Sequence, residues 1–350
     1  MIELNNFKNC LPVSPKHPLI IPEIGINHGG NLDVAFSMVD AAWRAGAKLV
    51  KHQTHIPSAE MSKAAKSILP GNADKDIFSV ISENSISLDD EKILAEYVRS
   101  KGIEYISTPF SFEAAIFLHE IIDVPFFKIG SGECNNRLMI KKISDFQKPM
   151  IVSTGMNSLD SIRKTVDVLE SSGVDYALMH TTNLYPTPDT HVRLGGMLDL
   201  MREFDGVPIG LSDHTIDNTA CNAALALGAQ LIERHFTDHK QRVGPDICCS
   251  MDEVDLAKLL DDAQRIPLML GGNKEAHIDE KVTSDFAFQS VIALTDIQPG
   301  EILTTENIGL KRPGTGPFNA DDFFRLINMK SVQLIPADEQ ITPKMLASDS

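Results

Sequence analysis

Along the chain, short runs of apolar and β-branched residues alternate with longer stretches in which apolar residues recur three and four apart, and glycine or proline sits at the joins. The runs predict strands at 19–26, 48–53, 104–108, 126–129, 150–153, 176–181, 208–211 and 231–235. The clearest helical periods fall at 33–45, 90–100, 112–122, 159–171, 218–227 and 254–270, several closed by Gly46, Gly102, Gly173 or Gly228, where a left-handed residue stops a helix. Eight strand-then-helix units with continuous apolar strands predict a parallel α/β fold closed as a (β/α)8 TIM barrel over residues 1–272. An open doubly wound sheet is the second choice. Residues 56–88, rich in Ser and Asn, interrupt the regularity and predict a lid or active-site loop. After a polar linker at 273–285, residues 286–350 predict a small mixed domain with strands near 290–294 and 332–335.

Composition narrows the partners. With 43% hydrophobic and 23% charged residues, the 350-residue chain has material for a large core. Its 32 Lys and Arg against 48 Asp and Glu leave a formal charge of -16, which repels a polyanion, so nucleic acid is not an expected partner. No apolar run approaches the roughly 20 residues of a membrane-spanning helix, so a membrane is not expected either. The five cysteines show no C-x-x-C spacing, and Cys248 and Cys249 are adjacent. A reducing compartment follows. The first residues lack a basic segment followed by an apolar one, so the expected location is cytoplasmic.

A barrel keeps its chemistry at the C-terminal ends of its strands. Those ends carry Glu23 and Asn27, Lys51 and Gln53, Thr108, Lys128 with Ser131 and Glu133, Ser153, Asn183, Ser212 to His214, and His235. Two lysines at strand ends of an acidic chain are costly to desolvate unless an anion meets them. Lys51 and Lys128, with hydroxyls from Thr108, Ser131, Ser153 and Ser212, suit a phosphate and a carboxylate. The plainer alternative pairs Lys128 with Glu133. His214 and His235 end neighbouring strands, a metal-ligand arrangement for a divalent ion such as Mn2+, Fe2+, Co2+ or Zn2+, with Glu23 across the mouth. Alternation sends His52 behind the barrel, and Gly29-Gly30 reads as a turn. Neither nucleotide-binding glycine motif is present.

Taken together, Glu-Ile-Gly-Ile-Asn-His at 23–28, Lys-His-Gln-Thr-His at 51–55, Ser-Thr-Pro-Phe at 107–110 and Lys-Ile-Gly-Ser-Gly-Glu-Cys-Asn-Asn at 128–136 resemble the sialic acid synthase family. So do Ser-Thr-Gly-Met at 153–156, Asn-Leu-Tyr-Pro-Thr-Pro at 183–188, Gly-Leu-Ser-Asp-His-Thr at 210–215, Glu-Arg-His-Phe-Thr at 233–237 and Gly-Pro-Asp at 244–246. The resemblance covers nearly the whole chain, including an antifreeze-like (SAF) domain from about residue 284 with Lys-Arg-Pro-Gly at 311–314. It implies an enzyme condensing phosphoenolpyruvate with N-acetylmannosamine and water to N-acetylneuraminate and phosphate. It assigns Lys51, Thr108, Lys128, Ser131, Ser153, Asn183 and Ser212 to phosphoenolpyruvate, and Gln53, Asn72, Tyr185, Asp246 and Phe286 to the sugar. It further implies Mn2+ on His214 and His235, with Mg2+ or Co2+ as other candidates, Glu23 beside the reacting groups, and a domain-swapped homodimer in which Arg312 of the partner subunit contacts the sugar. Legionaminic or pseudaminic acid synthases, which take a diacetamido-trideoxy sugar, would share the phosphoenolpyruvate residues. Synthases of seven- or eight-carbon keto-sugar phosphates are a more distant enzyme alternative, and an inactive metal-dependent carbohydrate-binding protein is the alternative of another class.

Overall fold

The computed structural model describes residues 14–70 and 74–347. Its main sheet has eight parallel strands: β1 (Leu19–Gly25), β2 (Leu49–Thr54), β3 (Glu104–Pro109), β4 (Phe127–Ile129), β5 (Met150–Ser153), β6 (Tyr176–Thr181), β7 (Ile209–Asp213) and β8 (Leu231–His235). Hydrogen-bonded neighbours run β3-β2-β1-β8-β7-β6-β5-β4. The first and last strands therefore pair, Glu23 standing opposite His235, and β3 packs beside β4 at the remaining seam. An open doubly wound sheet has no such first-to-last pairing, so the barrel is the architecture.

Alternation along each strand explains both the core and the site. Ile21, Leu49, Ile106, Phe126, Ile151, Ala177, Met179 and Leu231 form a buried cluster that plugs the barrel. Two residues further along seven of the strands, the same faces carry Glu23, Lys51, Thr108, Lys128, Ser153, Thr181 and Glu233. The spacing of two keeps each pair on one side of its strand, so a greasy floor passes directly into a polar rim. Gly210 is required at this floor, because a Cβ there would come within 2.3 Å of the Leu231 carbonyl.

The helices pack an outer apolar shell against the other faces of the strands. Leu159–Ser171 shows why they form: Ser158 caps the first turn, and Ile162, Thr165, Val166 and Leu169 bury one stripe. The expected helix at 112–122 is α-helical only over Phe112–Phe117 and then widens into a π turn at Leu118–Ile122, ended by left-handed Asp123. The stretch expected as a lid or active-site loop contains short helical pieces, Pro57–Glu60, a 3-10 turn at Lys63–Ser67 and a helix at Ile77–Asn84 capped by Asp76. Polar composition concealed these short elements because their apolar faces are only partly buried. No helix among the described residues is long and apolar enough to cross a membrane.

The chain divides into two compact units after Gly271. The second holds an antiparallel pair, β9 (Ser290–Ala293) with β10 (Ile308–Lys311), around a core that includes Val291, Leu303, Ile308, Phe318, Ile335 and Ile341. The polar stretch at 273–285 contains a 3-10 turn at Ile278–Glu280 and most of a helix at Lys281–Ala287, in which Phe286 lies. One expectation needs correction here. The stretch 332–335 makes only an isolated bridge, Ile335 to Ile297, because Pro336 follows and offers no amide to extend the ladder.

Candidate active site

The barrel mouth encloses a cavity of about 160 Å3. A larger cavity of about 460 Å3 lies between the helices that follow β5 and β6, but the paired buried charges converge on the smaller one. Lys51 Nζ donates to Glu23 Oε1 at 2.9 Å and Thr108 Oγ1 at 3.1 Å, and lies 3.5 Å from Glu233 Oε1. Lys128 Nζ donates to Ser153 Oγ at 2.7 Å and lies 3.6 Å from the same Glu233 oxygen. Glu23 also accepts from Gln53 Nε2 at 2.9 Å, while its Oε2 is 2.7 Å from His235 Nδ1.

These partners set the charges. Burial alone would raise the Glu23 carboxyl, but the Lys51 ammonium and the His235 imidazole outweigh it and hold it well below the usual carboxylate range. Burial would lower Lys51, yet Glu23 and Glu233 raise it. Lys128 differs: burial and the like charge of Lys51 leave it lowered despite Glu233. It is the less compensated of the two ammoniums, and so the one that gains more from an arriving anion. Glu133, on the same cavity, is pushed up to about 7 by burial.

The two imidazoles face one another with ring centres 5.4 Å apart. His214 Nδ1 donates to the Thr182 carbonyl at 2.8 Å, and His235 Nδ1 is held against Glu23. Burial and the neighbouring His235 lower His214 to about 3, whereas Glu23 and Asp246 push His235 up to about 9 against the effect of burial. In each ring Nδ1 stands beside an oxygen, the Thr182 carbonyl for His214 and the Glu23 carboxylate for His235. Among the described residues no group of three His, Cys, Asp or Glu side chains is placed to hold an ion.

Of the other expected site residues, Ser131, Asn183, Tyr185 and Ser212 line the cavity. Ser131 Oγ accepts from the Gly155 amide at 3.1 Å, and Asn183 Nδ2 donates to the Tyr185 hydroxyl at 3.3 Å. Tyr185 stacks obliquely on His214, with 4.2 Å between ring centres. Gly155 makes this corner possible, since a Cβ there would sit 1.9 Å from Asn183 Oδ1. Asp246 lies 3.8 Å from His235 Nδ1. Phe286 and Arg312 belong to the second unit, where Phe286 is exposed and Arg312 Nε donates to the Ala287 carbonyl at 2.9 Å. Asn72 lies outside the described residues. His52 does turn behind the barrel, against His28 and Glu91, and Gly29 and Gly30 form a turn with positive φ.

The alternative pairing of Lys128 with Glu133 is not formed: the carboxylate that reaches both lysines is Glu233. Glu233 was missing from the expected site. Its signal was present in the sequence, because it stands two residues before His235 on β8 and shares its face.

A family model described as the NeuB family matches residues 38–275. The chain belongs to the NeuB family. A model of the SAF domain matches residues 288–347 of this NeuB-family chain. It is 34% identical to N,N'-diacetyllegionaminic acid synthase of Campylobacter jejuni, covering 86% of this chain and 92% of that protein. It is 29% identical to human N-acetylneuraminate-9-phosphate synthase, covering 95% and 94%. Among solved structures, the N-acetylneuraminic acid (sialic acid) synthetase of Leptospira borgpetersenii superposes with a TM-score of 0.69 at 27% identity, covering 77% of this chain and 90% of that one. These relatives are sugar-acid synthases, which makes this chain an enzyme of the same family.

Proposed function

We propose that the chain is an N-acetylneuraminate synthase, a transferase that condenses phosphoenolpyruvate with open-chain N-acetylmannosamine and water, releasing phosphate. One observation carries the reading: a single cavity at the barrel mouth is lined by two buried ammoniums and two neighbouring imidazoles, with Glu23 accepting from Lys51 and lying 2.7 Å from His235 Nδ1. Lys128 and Lys51, with Thr108, Ser153 and the Ser131–Asn183 corner, would hold the phosphate and carboxylate of the enol ester. That grip replaces a bimolecular encounter with a fixed approach. Asn183 Oδ1, Glu133 Oε2 and Glu233 Oε2 are buried without hydrogen-bond partners. Hydroxyls and the amide of an amino sugar would donate to them, which phosphoenolpyruvate alone does not do.

His214 and His235 would hold a divalent ion, Mn2+ by family likeness, which when bound supplies Lewis-acid polarisation of the sugar aldehyde. The new bond joins C3 of the enol ester to C1 of the sugar. Water then adds at C2, and the resulting tetrahedral carbon expels phosphate with cleavage of its C–O bond. Glu23, kept ionised by Lys51 and His235, orients that water by accepting its hydrogen bond; so low a proton affinity suits orientation better than proton storage. In this reading the enzyme would be a domain-swapped homodimer, with Arg312 of the partner subunit on the sugar.

Higher identity to the legionaminic acid synthase than to the neuraminate-phosphate synthase supports a second reading with the same chemistry, on a diacetamido-trideoxyhexose. Turnover in 18O-water with Mn2+ and each sugar in turn tests both. Label is expected at C2 of the product and absent from phosphate. Label in phosphate would reject C–O cleavage, the preferred sugar names the substrate, and no turnover with any sugar would leave a binding protein.

A further inference from the structure

Asp213 and Arg234 stand opposite one another on β7 and β8, each immediately before one of the two facing histidines. Alternation turns both away from the cavity, and they pair behind its wall: Arg234 Nε is 3.2 Å from Asp213 Oδ2, with neither side chain more than 2% exposed. The remaining nitrogens of the guanidinium tie down two loops. Nη1 donates to Asn218 Oδ1 at 2.8 Å, and Nη2 to the carbonyls of Thr215 at 2.7 Å and Cys249 at 3.2 Å. Asp213 in turn accepts from the Thr215 amide at 3.1 Å and its hydroxyl at 2.8 Å.

The first of these loops leaves His214 directly. The second is the turn that begins at Asp246, whose carbonyl accepts from Ser250 Oγ at 2.8 Å and whose carboxylate lies 3.8 Å from His235. A buried ion pair is a poor way to gain stability, since apolar residues of the same volume commonly pack as well. What apolar residues lack is a rigid planar fork that holds an amide oxygen and two carbonyls in set directions while its charge rests beside a carboxylate.

We infer that Arg234, together with Asp213, is a positioning residue that sets His214 and His235 against each other and places Asp246 beside them. The inference rests on the two-imidazole reading of the site. Neither residue touches Lys51, Lys128, Thr108 or Ser153, which stand on β2 to β5. A change behind the wall therefore acts first on the ion and sugar end, and reaches the anion end only through Ser212 and Glu233, the neighbours of the pair on the same two strands.

Arg234→Lys keeps the charge and loses the fork. Mn2+ affinity, measured by electron paramagnetic resonance on the full-length protein without substrates, is expected to fall about tenfold. The KM for the sugar should rise by a similar factor, roughly tenfold, while the KM for phosphoenolpyruvate stays within about twofold. Asn218→Ala removes one contact of the fork and should move the same two quantities about threefold; it carries the test by itself if the lysine variant does not fold. Wild-type protein that takes up no Mn2+ would overturn the two-imidazole reading, and this inference with it. Folded variants with wild-type Mn2+ affinity and sugar KM, or with the phosphoenolpyruvate KM rising in step with that of the sugar, would overturn the inference alone.

Discussion

Glu233→Gln removes one negative charge and keeps the side-chain shape. The lost carboxylate oxygen lies 3.5 Å from Lys51 Nζ and 3.6 Å from Lys128 Nζ. At an effective dielectric constant of about 20, each attraction is worth roughly 5 kcal/mol, so about 9 kcal/mol of gross attraction disappears. Several kcal/mol return because a carboxylate need no longer be desolvated. The net cost is about 3–5 kcal/mol, the range seen when one partner of a buried pair is removed. At roughly 2 °C per kcal/mol for a unit of this size, the melting temperature should fall by about 6–10 °C. The cavity also becomes more cationic, so phosphoenolpyruvate should restore more stability to the variant than it adds to wild type. Differential scanning fluorimetry with and without that ligand measures both effects. A variant melting within about 1 °C of wild type, or one that the ligand stabilises less than wild type, would refute the shared-carboxylate account.

Two further outcomes follow from the same geometry. Gly155→Ala drives a methyl group into Asn183 Oδ1, so overpacking of about 1–3 kcal/mol is expected in urea unfolding, together with a roughly tenfold weaker grip on phosphoenolpyruvate by calorimetry; wild-type values for both would show that the corner relaxes freely. The Glu133 carboxyl has a folded value of about 7 against a usual 4.5. Between those values the folded state holds a proton that the unfolded chain has released, so stability falls as pH rises from about 4.5 to about 7 and is level beyond, a loss of about 3 kcal/mol. Glu133→Gln should remove that slope from the pH dependence of urea unfolding, and a slope unchanged in the variant would assign it elsewhere.

The strands and most barrel helices were legible because their signal is local. A period of two or of three and four needs only neighbours in the chain, and glycines such as Gly102 and Gly173, with φ of 74° and 66°, mark the helix ends through their own backbone freedom. The helices at 57–60 and 77–84 were not legible, since short, partly buried segments carry little period. The 332–335 stretch in the second unit misled for the opposite reason: its apolar residues alternate like a strand, but a ladder also needs a partner and free amides, and Pro336 ends it.

By itself, the sequence determined that seven of the eight barrel strands would carry a polar residue two places beyond an apolar one, and hence that lysines, hydroxyls, carboxylates and imidazoles would share a rim. Only the tertiary structure decided who meets whom on it. Lys128 has Glu133 five residues away in the chain, yet its carboxylate is Glu233, because closure of β1 onto β8 swings that strand across the mouth from β4. Coulomb attraction depends on distance through space, which the chain acquires when the sheet closes, and no reading of neighbours along the backbone contains it.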